Sequence, residues 1–168
     1  MLRAKNGVYA VIGNRDLCCN DEETFILAMK SIGIKVLNNE VHSIYHENHL
    51  FDLIGVNDSN HIDSLSLSKN SKNISILLAH QPKSISLLER LTNTKIMLCG
   101  HTHGGQVLPF GAIMLKRQEQ PYLSGLHKYK SSNIYVSSGA GHTIIPWRFL
   151  TKGEITNLVI NNRISNSS

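Results

Sequence analysis

Apolar residues in this chain gather in short unbroken runs, and three of the runs open abruptly into polar residues. Gly7–Ile12 empties into Gly13-Asn14-Arg15-Asp16, Ile74–Ala79 into His80-Gln81-Pro82, and Ile96–Cys99 into Gly100-His101. An apolar run of this length bounded by turn formers predicts a buried strand that delivers a loop. Between the runs the period changes. Asn20 followed by Asp21-Glu22-Glu23 predicts a capped helix over 21–32, with Phe25, Ala28, Met29 and Ile32 on one face and Gly33 as the stop. Lys83–Leu91 reads as a second helix, with Ile85, Leu88 and Leu91 along one side. Ile34–Leu37, Val41–Tyr45 and Leu50–Val56 predict a β-meander, and the Ser/Asn/Lys-rich stretch from Asn57 to Asn73 a polar loop. Beyond Gln106, β-rich runs at Tyr122–Tyr129, Asn133–Ser138 and Glu154–Ile160 predict a second sheet covering the first.

Composition narrows the picture only slightly. With 168 residues and 41% hydrophobic content the chain is read as one α/β domain over 1–161, followed by a polar tail at 162–168. Seventeen basic against twelve acidic residues give a net charge of +5, with the lysines scattered. That balance weakly favours anionic substrates, and without a basic stripe interleaved with aromatics no nucleic-acid partner is expected. Adjacent Cys18 and Cys19 with a distant Cys99 make neither a disulfide framework nor a zinc knuckle, which fits a reducing compartment. No stretch approaches the ~20 apolar residues of a membrane helix, and the apolar run ending at Gly13 is too short for a signal peptide. The expected location is cytoplasmic for the chain as given, with membrane association left open for a longer form.

The candidate chemistry sits at the ends of the buried runs. His101 and His103 stand two residues apart in Gly100-His101-Thr102-His103-Gly104-Gly105-Gln106, directly after a predicted strand. On extended backbone that spacing points both imidazoles toward one place, and paired imidazoles suit zinc, iron or manganese. The framing glycines permit positive φ and close backbone approach. Asn14, His80 and His101/His103 thus end three successive strands, the arrangement by which an open α/β sheet collects a site along its carboxyl edge. The irregular spacing of His42, His46, His49 and His61 argues for structural roles.

These residues resemble the calcineurin-like metallophosphoesterases. Gly13-Asn14-Arg15-Asp16, the strand-ending His80 and Gly100-His101-Thr102-His103 look like that family's last three motifs, in order and in spacing. The extended Gly-His-Thr-His-Gly-Gly-Gln, with Leu53–Asp58, Gly139–Gly141 and Trp147–Phe149, is similar to a bacterial branch that includes phosphodiesterases and UDP-diacylglucosamine pyrophosphatase-like enzymes. The resemblance implies an α/β/β/α sandwich that hydrolyses phosphoesters with two divalent cations (manganese, iron, zinc or magnesium). Asn14, His80 and His101 would hold one cation and His103 the other. Implied substrates are phosphoesters, including lipid- or nucleotide-linked ones.

Two features depart from the family pattern. Its Asp-x-His and Gly-Asp-x-x-Asp motifs are not found ahead of Gly7, so the chain is expected to correspond to the C-terminal part of such a domain, incomplete at its N-terminus. On that expectation a separate chain is a candidate to supply the remaining strands, and this chain alone would hold one cation or none. Arg15 stands where the family has a histidine, and is the candidate catalytic contact to phosphate. The competing readings are a non-catalytic metal-binding remnant or binding protein of the same fold and, more remotely, a basic nucleic-acid-binding module.

Overall fold

The computed structural model describes residues 2–16, 21–57 and 72–160. Its centre is one mixed sheet of six strands in the order β3-β4-β5-β6-β8-β7. These are β3 (Glu40–His46), β4 (His49–Val56), β5 (Ile74–Ala79), β6 (Thr94–Cys99), β7 (Gly125–Tyr129) and β8 (Ser132–Val136). The four inner strands run parallel, and β3 and β7 close the edges antiparallel. The interior strands carry the apolar runs, because residues covered on both faces leave no position for polar alternation.

Register places the large apolar side chains in rows. Ile54, Leu77, Met97 and Ile134 lie opposite one another across four strands and are almost fully buried. Val56 pairs with Ala79 in a second row, and Cys99 with Val136. Both rows pack under the 3₁₀ segment Pro82–Glu89, which contributes Leu87 and Leu88. This segment occupies the place of the expected helix over 83–91, with a tighter winding that begins at Pro82.

The opposite face is covered only in part. A small parallel pair, β1 (Tyr9–Ala10) with β2 (Lys35–Val36), brings Tyr9, Val11 and Leu37 over Leu53, Ile76 and Leu78. Gly55 makes room for this layer, since a Cβ there would stand 2.1 Å from the Leu37 Cβ. Ile96, Leu98 and Tyr135 on the same face stay half-buried.

Several expectations are revised. The C-terminal strands do not build a second sheet. Instead β8 inserts beside β6, where its amides satisfy the edge of that strand, and Ser132 Oγ donates to the Thr94 carbonyl at 2.6 Å. The second layer is the β1–β2 pair, so the run Gly7–Ile12 contributes only two strand residues. The same pairing removes β2 from the expected meander, leaving a β3–β4 hairpin. Glu154–Ile160 forms no strand, and α2 (Phe110–Arg117) lies in a stretch read as β-rich. The first helix, α1, spans Glu22–Ser31 and is capped by Asp21, whose carboxylate accepts from Thr24 N at 2.8 Å and Thr24 Oγ1 at 2.9 Å. Asn20, the expected cap, and the loop at 58–71 lie outside the described residues. None of α1 is fully buried; Phe25 and Met29 are half-buried, whereas Ala28 and Ile32 face out. The α/β class stands, as a mixed central sheet flanked by helical segments.

Candidate metal centre

β5 and β6 are parallel neighbours, so the residues that follow them emerge side by side at the carboxyl edge. His80 directly follows β5, and His101 follows β6 after Gly100. Their ring centroids are 4.9 Å apart, nearly edge to face, and His101 Nδ1 lies 3.0 Å from His80 Nε2. Asn14 enters from the turn after β1 and sets its Oδ1 2.8 Å from the same His80 nitrogen. The close approach of this turn requires Gly13, where a Cβ would stand 2.7 Å from the His80 ring. Asp16 closes the turn by accepting from Gly13 N at 2.7 Å.

Three donor atoms, Asn14 Oδ1, His80 Nε2 and His101 Nδ1, therefore converge. Their chemistry is unbalanced among themselves. If His80 Nε2 carries a proton, two acceptors compete for it; if it does not, its single lone pair accepts from His101 Nδ1–H and the Asn14 oxygen faces it with no proton between them. A cation satisfies all three at once, so the donor set fits a divalent metal of imidazole-binding type. Among the described residues no three His, Cys, Asp or Glu side chains gather to hold an ion. The set is two imidazoles and an amide, all neutral.

His103 shares a cavity of about 410 Å³ with His80 and His101, walled by Tyr9, Leu78 and Leu98. It stands outside the triad of contacts. Its Nδ1 is buried without a hydrogen-bond partner, and an orphaned lone pair in a cavity also fits a cation ligand. Burial, then the positive charge of Arg148, hold the His103 pKa below the ordinary imidazole value, so the ring is kept neutral. Arg15 is exposed in the Asn14–Asp16 turn, close enough for its charge to act on His103 as well. The Cys99 thiol is pushed up to about 12 by burial, which removes it as a nucleophile.

The reason for the His-x-His spacing differs from the expected one. His101 and His103 are not on extended backbone: their φ values are 68° and 51°, and His103 opens a 3₁₀ turn through Gly105. Gly104 and Gly105 are left-handed as well, whereas Gly100 is not. A turn in which left-handed His101 and His103 flank right-handed Thr102, rather than strand alternation, brings both imidazoles to one cavity.

Three contributors escaped the sequence reading. Gln118, at the end of the unforeseen α2, sets its Oε1 3.4 Å from His101 Nε2. The Gln106 amide donates to the carbonyls of Thr143, Ile145 and Trp147, and its Oε1 accepts from Thr143 N. Arg148 reaches the His103 carbonyl. The only signal for the last two was their place in the resembling stretches. Elsewhere, His42 meets Lys35 and Tyr9, His46 meets Asn6, and His127 stacks on Tyr122. His61 lies outside the described residues.

Comparison with known proteins decides the family. The chain is 35% identical over 167 residues to an uncharacterised metallophosphoesterase of Helicobacter pylori, covering 94% of this chain and 43% of that protein. It is 31% identical over 159 residues to the phosphodiesterase YaeI of Escherichia coli, covering 89% of this chain and 57% of the relative. This chain belongs to the metallophosphoesterase family. A third metallophosphoesterase relative, from Danio rerio, is named a transmembrane protein with a metallophosphoesterase domain, at 29% identity over 95% of this chain and 40% of that protein. The chain thus spans about half the length of the curated metallophosphoesterases it matches. No family profile and no solved structure matches it. Among its described residues no helix is long and apolar enough to cross a membrane.

Proposed function

We propose that this chain provides the histidine side of a metal-dependent phosphoester hydrolase, with Asn14, His80 and His101 holding one divalent cation and His103 a second. The observation that carries this reading is the placement of Asn14 Oδ1 and His101 Nδ1 at 2.8 and 3.0 Å from the same His80 Nε2. A cation held there supplies Lewis acidity to the phosphoryl oxygens and to the attacking water. The chain's own residues orient and charge the site. Arg15 contacts non-bridging phosphate oxygens through its guanidinium fork. It gives no proton near neutral pH, so leaving groups that depart as stable anions are turned over best. The neutral donors need carboxylates to hold two cations, and a segment bearing Asp-x-His and Gly-Asp-x-x-Asp, in a longer form or a partner chain, supplies them. Lipid- and nucleotide-linked phosphoesters are the substrate classes to test.

Calorimetry with manganese or zinc tests the site. H80A or H101A should remove most of the binding and H46A should not; equal losses in all three would reduce the binding to surface chelation. The 168-residue chain alone should barely hydrolyse bis-p-nitrophenyl phosphate with manganese, and joining the carboxylate-bearing segment should restore turnover. A folded, metal-loaded and still inactive product would favour the second reading, a non-catalytic metal-binding protein of this fold. The neutral donor set is the observation on that side.

A further inference from the structure

We propose that Arg148 is a positioning residue that holds His103, through its main-chain carbonyl, in the conformation that presents Nδ1 to the cavity. The inference rests on the metal-site reading above for its consequence, but not for its geometry. His101, His103 and Gln106 all lie at positive φ, at 68°, 51° and 40°. For residues other than glycine such conformations are uncommon and persist only where the surroundings over-determine them. Arg148 supplies that determination. Its Nη1 donates to the His103 carbonyl at 2.8 Å, its Nη2 to the carbonyls of Ser138 and Gly141, each at 2.6 Å, and to Gly139 at 3.2 Å, and its Nε to Gly141 at 3.1 Å.

Every one of those acceptors is main chain. A guanidinium carries five N–H donors in a fixed fork, so a single side chain can fix several carbonyls at once; an ammonium, a point charge on a flexible stem, cannot. The His103 Nδ1 is buried without a hydrogen-bond partner. Fixing the main chain of this residue fixes where its ring points, a support that metal-binding histidines commonly need. Gln106 locks the same loop from the other side through its bonds to Thr143, Ile145 and Trp147. Arg148 is thereby a positioning residue, reaching the site through the main chain of His103 and of the cavity-lining Ser138 and Gly139.

The test uses the 168-residue chain with R148M and R148K, and reads amide exchange together with His103 ring nitrogen shifts. The Gln106 N–H, bonded to the His103 carbonyl at 3.0 Å, is the local reporter. Both variants should exchange it at least tenfold faster and should move the His103 ring nitrogen shifts, while the Leu77 and Met97 amides of the core hold their rates. Guanidinium added to R148G should restore both signals. Unchanged Gln106 exchange and ring shifts in R148K would overturn the proposal, and so would equal acceleration of the core amides. If R148M does not fold, R148K and the guanidinium rescue decide. Cobalt(II) titration should then show affinity weakened about 10- to 100-fold in R148K. If the unaltered chain takes up no cobalt, the metal reading falls, while the exchange and ring-shift results still decide the clamp.

Discussion

At the scale of residues, the candidate centre depends on side chains that are absent as much as on those present. Gly13 has no Cβ where one would press into the His80 ring at 2.7 Å, and its φ is not in the left-handed region, so the requirement is steric and not conformational. G13A should therefore cost about 1–3 kcal/mol, the usual cost of overpacking. It should also separate Asn14 Oδ1 from His80 Nε2. Denaturant midpoints and the His80 ring shifts check both parts, and an unchanged midpoint with unchanged shifts would remove the close-approach argument. The histidine pair shows the limit of reading by residue type. Its spacing singled out two imidazoles that line one cavity, but the reason offered, alternation along a strand, belongs to backbone that His101 and His103 do not have.

At the scale of elements, the stretch after β8 behaves as a strap. Glu154 Oε1 accepts from Ser138 N at 2.9 Å and from the Tyr135 hydroxyl at 3.0 Å, and Glu154 N donates to the Gly139 carbonyl. The Ser138 amide is the chief cause holding the Glu154 carboxyl below the usual range, with Tyr135 helping. A carboxylate whose folded pKa is lowered stabilises the fold fully above its ordinary value of 4.5, and that contribution is lost as pH falls through the folded pKa. E154Q should consequently be less stable than the unaltered chain at pH 7, by on the order of 1 kcal/mol or less because solvent screens the group. The gap should close in acid. Urea midpoints at pH 7 and below pH 4 give the comparison; a gap that persists in acid would show that shape, not charge, holds the strap. The run Glu154–Ile160 looked like a strand because it is apolar, yet Ile155 is 93% exposed and finds no neighbour to pair with.

At the scale of the whole molecule, the larger buried cluster lies on one face of one sheet. Ile134 is fully buried in the row shared by Ile54, Leu77 and Met97, whereas Leu126 on the edge strand β7 is 68% exposed. I134A should cost about 2–5 kcal/mol through lost transfer energy and residual cavity, a large part of the roughly 5–15 kcal/mol that holds a domain together. L126A should move stability by no more than about 0.5 kcal/mol. Midpoints in urea with unchanged slopes would establish the contrast, and equal effects would mean that the described rows are not the core.

The sequence by itself determined the buried strands β5 and β6, the polar residues that end them, the extent of the first helix to within a residue, and the family resemblance. These are local matters: an uninterrupted apolar run has to be covered, and its last residue has to emerge at an edge. The tertiary structure alone decided which strands became neighbours. Whether β8 joined β6 or formed a separate layer depended on edge hydrogen bonds and on side chains meeting across 37 residues of chain, which no periodicity records. It alone decided that Arg148, 45 residues from His103, would grip its carbonyl. An arginine that bonds only main-chain oxygens leaves no complementary residue in the sequence to betray it, since every residue carries the same carbonyl.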